Sequence, residues 1–289
     1  MKRLIVILGV AAMSLSAIFV RYSSAPSIVL VLYRMLFSVL LLLPSVLLKN
    51  RDELKSMQRK DWLLCAVSGI FIGLHFTAYF EALQWTSIAA AVVLSDTEVL
   101  FLALAMVLLF RKKLSGGAWL SILLAFGGSI VIAMADSSAG TSTLRGTLLG
   151  LSSGILMSVY TMIGAVCRKK VSTTVYTFLV YCMAGLTVMA VAILGGTPLL
   201  GYGVINVGLG LGLAVFPTLL GHSVFSWGLK YLPPTFIASA KLLEPVLAAI
   251  MGWLLFRENP GWQVAVGGAI VVMGIALYSR IAAAEEKEN

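Results

Sequence analysis

The sequence predicts an all-α integral membrane protein of ten transmembrane helices, arranged as two inverted five-helix repeats, and three observations predict it. Sixty per cent of the 289 residues are hydrophobic and only 11% are charged, with a mean hydropathy of +1.00, against about 45 to 50% apolar residues in ordinary soluble domains. The basic residues stand in short clusters between apolar runs. The second half of the chain echoes the first at a fixed offset. A spanning helix takes about 20 residues, so ten of them use roughly 200 and leave only short connections.

The apolar runs, read between charged or Gly/Pro/Ser-rich breaks, give spans near 4–20, 27–48, 62–84, 87–110 and 117–135. The second set lies near 147–166, 174–195, 203–229, 234–256 and 262–281. The first run follows Met1-Lys2-Arg3 and resembles a signal peptide, but its removal would delete a helix whose counterpart is present in the second half, so it is read as a span. Cys65, Cys167 and Cys182 form no CxxC pair and are read as helix residues.

With the N-terminus in the cytoplasm, Lys2, Arg3, Lys49, Arg51, Lys55, Arg59, Lys60, Arg111, Lys112, Lys113, Arg168, Lys169, Lys170, Lys230, Arg280 and Lys287 fall on that side. Only Arg21, Arg145 and Arg257 fall outside. This asymmetry satisfies the positive-inside rule and places both termini in the cytoplasm of a plasma membrane protein. It also gives the +9 net charge a topological meaning, so nucleic acid is not an expected partner.

A shift of 146 positions superposes Ala82-Leu83-Gln84-Trp85 on Gly228-Leu229-Lys230-Tyr231, Glu98 on Glu244, Leu109-Phe110-Arg111 on Leu255-Phe256-Arg257, and Gly128 on Gly274. The repeats are therefore expected at 1–140 and 141–289. Five spans are an odd number, so the second copy enters the membrane from the opposite side, and the site is expected near the midplane where the halves meet.

Ser16-Ala17-Ile18-Phe19, Ala25-Pro26 leading to Tyr33-Arg34, Gly73-Leu74-His75-Phe76, Gly221-His222, and Glu244-Pro245 through Phe256-Arg257-Glu258 follow one another along the chain. In this order, with the spans and the repeat, the chain resembles EamA-type members of the drug/metabolite transporter superfamily. The resemblance implies a ten-helix carrier with cytoplasmic termini, many such proteins exporting amino acids or metabolites. It departs in the fourth span, where the family tends to carry proline at Glu98 or Val99 and this chain reads Asp96-Thr97-Glu98-Val99.

A charge at the bilayer centre costs about 2.5 to 3.5 kcal/mol, so each one within a span asks for a reason. Here they are Arg34, Asp96, Glu98, Lys241 and Glu244, with Glu81 nearer an outer helix end. Lys241 and Glu244 are three apart and share a helix face, as do Ser95 and Glu98. Asp96 stands two residues from Glu98 and so, at 3.6 residues per turn, points about 200° away from it, which assigns it to a structural pair with Arg34 rather than to a cavity. A zwitterion would be held with its ammonium on a carboxylate and its carboxylate on Lys241.

His75 and Tyr79 share a face of the third span, as His222 and Ser226 do on the eighth, and histidine there is a candidate proton relay. Pro245 and Pro217 free the carbonyls of Lys241 and Leu213 and are candidate hinges. Gly146, Gly150, Gly154 and Ser158 form a smooth stripe for close helix packing.

Metal-ligand spacings, phosphate loops and nucleophile motifs are absent from the sequence, so neither enzyme activity nor a cofactor is expected. The expected activity is secondary export of amino acids or related small polar metabolites across the inner membrane. A drug or lipophilic-cation exporter is the alternative, with a channel or intramembrane enzyme more remote. Expected partners are a small-molecule substrate and the lipid bilayer, with protons as candidate coupling ions and a second copy of the chain as a candidate partner.

Overall fold

A computed structural model describes all residues except 86–87, 110, 112–113, 137–142, 257–261 and 289. Among the described residues every regular element is helical. In chain order these are α1 (Lys2–Ser14), α2 (Ser16–Arg21), α3 (Ser27–Lys49), α4 (Arg51–Ser56), α5 (Arg59–Trp85), α6 (Ile88–Asp96), α7 (Glu98–Leu108) and α8 (Gly116–Asp136). There follow α9 (Leu144–Cys167), α10 (Thr173–Leu194), α11 (Gly203–Leu213), a π-helical run Ala214–His222, α12 (Ser223–Gly228), α13 (Pro234–Lys241), α14 (Glu244–Phe256) and α15 (Trp262–Glu288).

Seven helical runs in the described residues are long and apolar enough to cross a membrane: Lys2–Val20, Ser27–Lys49, Arg59–Trp85, Ala91–Leu108, Leu144–Cys167, Thr173–Leu194 and Gly203–Gly228. Two shorter apolar helices are Gly116–Val131 and Ala265–Tyr278. Leu8, Leu120 and Leu194 point outward at 61%, 66% and 88% exposure, as suits a molecule whose outer solvent is lipid. The motif residues Phe110, Lys112, Lys113, Arg257 and Glu258 lie outside the described residues.

Lipid tails are as apolar as leucine, so helices associate through close packing rather than hydrophobic exclusion. Glycines supply that closeness. A Cβ on Gly128 of α8 would come within 2.7 Å of the Gly267 carbonyl oxygen of α15, and one on Gly274 of α15 within 2.6 Å of the Ala125 nitrogen of α8. Gly69 of α5 lies as tightly on the Val180 carbonyl of α10. Gly150 and Gly154 of α9 receive the α6 segment at Leu94 and Ser95.

Several helices are interrupted midway. Thr97 separates α6 from α7, and Leu242-Leu243 separates α13 from α14. No proline stands at the first break. Instead the Thr97 hydroxyl donates to the Leu94 carbonyl at 2.5 Å, the acceptor that the Glu98 N–H would use in a continuous helix. At the second break Pro245 lacks the N–H that would reach the Lys241 carbonyl, and the chain tightens through Leu243 N–H to Ala240 oxygen at 3.2 Å.

The buried apolar residues form two clusters. One gathers α1, α7, α8, α12, α13 and α15 around Val10, Leu102, Ile122, Phe236 and Val271. The other gathers α3, α5, α9, α10 and α11 around Leu30, Ile72, Phe76, Tyr176 and Leu213. The polar centre lies where they meet.

Candidate functional site

A cavity between the two clusters leaves about 40 Å³ accessible to water, room for about three molecules. The α5 residues His75, Phe76 and Tyr79 line it, as do Ser95, Asp96 and Glu98 at the α6–α7 break and Lys241 and Glu244 at the α13–α14 break. Arg34 of α3 and His222 at the end of the π-helical run complete the polar wall, and Met13, Ser16, Val92 and Met157 fill between them. Three carboxylates thus share one cavity with two cations.

Glu98 is the first residue of α7 and Glu244 the first of α14, where unsatisfied N–H groups and the helix dipole favour an anion. Lys241 is the last residue of α13, the end that favours a cation. Their fates differ. Lys241 Nζ donates to Glu98 Oε2 at 2.7 Å with both side chains about 95% buried, at 5% and 4% exposure. The Thr161 hydroxyl of α9 donates to Glu98 Oε1 at 2.6 Å. Glu98 is therefore engaged at both oxygens, whereas Glu244 is half-buried and makes no hydrogen bond or ion pair among the described residues.

Arg34 is 1% exposed. Its Nε donates to the Thr218 hydroxyl at 2.6 Å, its guanidinium lies over the Phe76 ring at 4.0 Å, and its Nη2 has no partner. Pro217 explains the anchor. The Leu213 carbonyl it deprives of an N–H accepts the Thr218 hydroxyl at 2.8 Å instead, and that orients the oxygen lone pair toward Arg34. The irregular backbone and the fixed arginine have one cause.

The expected Asp96–Arg34 pair is not made. Asp96 leaves Oδ2 without a partner, and Arg34 binds Thr218. The 200° separation of Asp96 from Glu98 holds only on a continuous helix, and the break at Thr97 brings both into the cavity wall.

His75 and Tyr79 stack in parallel with ring centroids 6.1 Å apart, and His75 Nδ1 lies 3.0 Å from the Ser153 carbonyl. The Ser153 hydroxyl contacts Ser95 Oγ at 2.8 Å, which joins α5, α6 and α9 beside the cavity. His222 meets Phe76 edge to face at 5.1 Å and leaves Nδ1 unpartnered.

Ser226 does not reach the cavity. One turn beyond His222, its hydroxyl meets the Tyr160 phenol at 2.9 Å and its carbonyl accepts Arg168 Nε at 2.9 Å. Arg168, read from sequence as a loop cation, is buried and also donates to the Val171 carbonyl and the Thr173 hydroxyl. The nearby Ser172 N–H is taken by Glu53 of α4 at 2.6 Å. Sequence reasoning also missed Thr161, Thr218 and Ser153. Their only signal is a hydroxyl inside an otherwise apolar or glycine-striped span.

A bundle of apolar helices around a buried charged cavity, with broken helices at its wall, defines a membrane transporter. The model of the EamA-like transporter family matches residues 2–134 and again 144–280, and the chain belongs to that family. It is 24% identical to an uncharacterised transporter of Archaeoglobus fulgidus over 280 residues, 95% of each chain. It is 31% identical to an uncharacterised protein of Pseudomonas aeruginosa over 242 residues, 84% of this chain and 80% of the relative. A crystal structure of a protein 18% identical superposes with a TM-score of 0.80 over 97% of this chain and 98% of the other, which shows a shared fold.

Proposed function

We propose that this transporter is a secondary carrier that exports amino acids or related small polar metabolites across the inner membrane, with ten spans in two inverted halves. The observation that carries the proposal is the cavity in which Arg34, Asp96, Glu98, Lys241 and Glu244 converge. Charges this costly to bury are the mark of a pathway for a polar solute. Support for two halves comes from the double family match, from breaks at Thr97 and Leu243 that stand 146 residues apart, and from the reciprocal packing of Gly128 on Gly267 and Val271 of α15 and of Gly274 on Ser121 and Ala125 of α8.

The sequence carries no nucleotide-binding motif, which leaves an ion gradient, the substrate gradient or a separate partner protein as the driving force. We favour protons, because the cavity is lined by three carboxylate side chains and two basic ones. The alternative of a lipophilic-cation exporter draws on the open Glu244 beside Phe76 and Tyr79.

A thermal-shift screen of the purified protein against amino acids, nucleobases and organic cations tests the reading, since a ligand that binds the folded state raises the melting temperature. Amino acids are expected to stabilise the protein. Stabilisation by organic cations alone would hand the assignment to the alternative.

A further inference from the structure

Two groups of opposite charge, the buried Arg34 and the half-buried Glu244, line the cavity without a hydrogen bond between them. Arg34 has Nε fixed on Thr218 and its plane fixed on Phe76, which leaves Nη2 unpartnered. Glu244 has no hydrogen bond or ion pair among the described residues. Lys241, by contrast, is already spent on Glu98, and Glu98 is closed on its other side by Thr161.

We propose that Arg34 and Glu244 are the two jaws of a zwitterion clamp, with the substrate carboxylate on the Arg34 guanidinium and its ammonium on the Glu244 carboxylate. The Lys241–Glu98 pair holds α13 against α7 and does not bind substrate. This assignment rests on the amino acid carrier reading and moves the anion anchor from Lys241 to Arg34.

Three arguments favour it. Arginine presents a planar fork of donors that matches a carboxylate, and here Nε is held by the protein while the buried Nη2 has no partner. The fixed edge removes rotamer freedom before the substrate arrives, so less is lost on binding. A zwitterion also satisfies both groups without changing the net charge of the cavity. A simple cation would satisfy Glu244 but leave Arg34 open and meet repulsion from it.

The test measures binding to the purified full-length protein by calorimetry. A panel of free amino acids is screened, and the tightest binder is carried forward with its methyl ester, which keeps only the ammonium, and its N-acetyl derivative, which keeps only the carboxylate. The free amino acid is expected to bind about ten- to a hundredfold more tightly than either, the worth of one charged hydrogen-bonding end. Arg34→Gln is expected to erase its advantage over the ester, and Glu244→Gln its advantage over the N-acetyl form. Should Arg34→Gln fail to fold, the wild-type comparison and the Glu244→Gln comparison still decide.

An ester that binds wild type as tightly as the free amino acid overturns the clamp. So does an advantage over the ester that survives in folded Arg34→Gln, or one that vanishes in a folded Glu98→Gln/Lys241→Met double variant, which would return the anchor to Lys241. These results leave the carrier reading standing. Wild-type protein that binds no free amino acid removes the substrate class, and the clamp with it.

Discussion

Glu98 and Glu244 stand 146 positions apart, each at the start of a half-helix beside the same cavity, yet only Glu98 is locked. The difference lies in their neighbours. Glu98 is held by Lys241 and Thr161, and the residues 146 positions before those are Ser95 and Leu15. Leucine donates no hydrogen bond, and the Ser95 hydroxyl is engaged by Ser153. Glu98→Gln therefore removes the carboxylate bonded to the buried Lys241 ammonium and is expected to destabilise the protein by about 3 to 5 kcal/mol. Adding Lys241→Met should recover most of that loss, as read from melting temperatures of the single and double variants. Sequence reasoning found the charged residues because charge within an apolar run is conspicuous. It could not pair them, since whether Lys241 meets Glu98 or Glu244 depends on how two separate spans are set against each other.

The broken helix is the element that most alters the sequence reading. The fourth span is legible as a single apolar run, and Asp96 and Glu98 on a single helix would face apart. Thr97 changes this with one local hydrogen bond to Leu94, and a threonine within an apolar run carries no visible sign of whether its hydroxyl will bond back in this way. The proline-marked irregularities are easier to anticipate: Pro217 lies in the π-helical run and Pro245 follows the α13–α14 break. Glycine seams are half legible. The match of Gly128 with Gly274 is visible in the repeat, whereas the atoms they approach are not. Gly274→Ala drives a Cβ toward the Ala125 nitrogen at 2.6 Å and the Ser121 carbonyl oxygen at 2.8 Å, both backbone, and is expected to cost about 1 to 3 kcal/mol. Gly127→Ala, with nothing within 4 Å of the added carbon, is expected to leave the melting temperature unchanged or raise it slightly.

At the scale of the whole molecule, the sixteen-to-three distribution of cations between the two sets of loops leads to an expected orientation with both termini cytoplasmic. Reporter fusions at each terminus should read as cytoplasmic, and a reporter inserted between Asp136 and Arg145 should read as external; termini on opposite faces would exclude an even number of spans. Arg168 marks the limit of this loop-level reading. By sequence it belongs with the loop cations, but it is buried against the nearby Val171 and Thr173 and against the Ser226 carbonyl, a partner that only the folded bundle brings to it. The small size of the central cavity bears on the molecule as a whole. With about 40 Å³ open to water, this arrangement admits a few solvent molecules, so under the proposed function an amino acid would load into an expanded conformer. The affinity measured at equilibrium is then weaker than that of the expanded conformer by the fraction of molecules that occupy it, and substitutions that shift this balance will alter apparent binding without touching a single substrate contact.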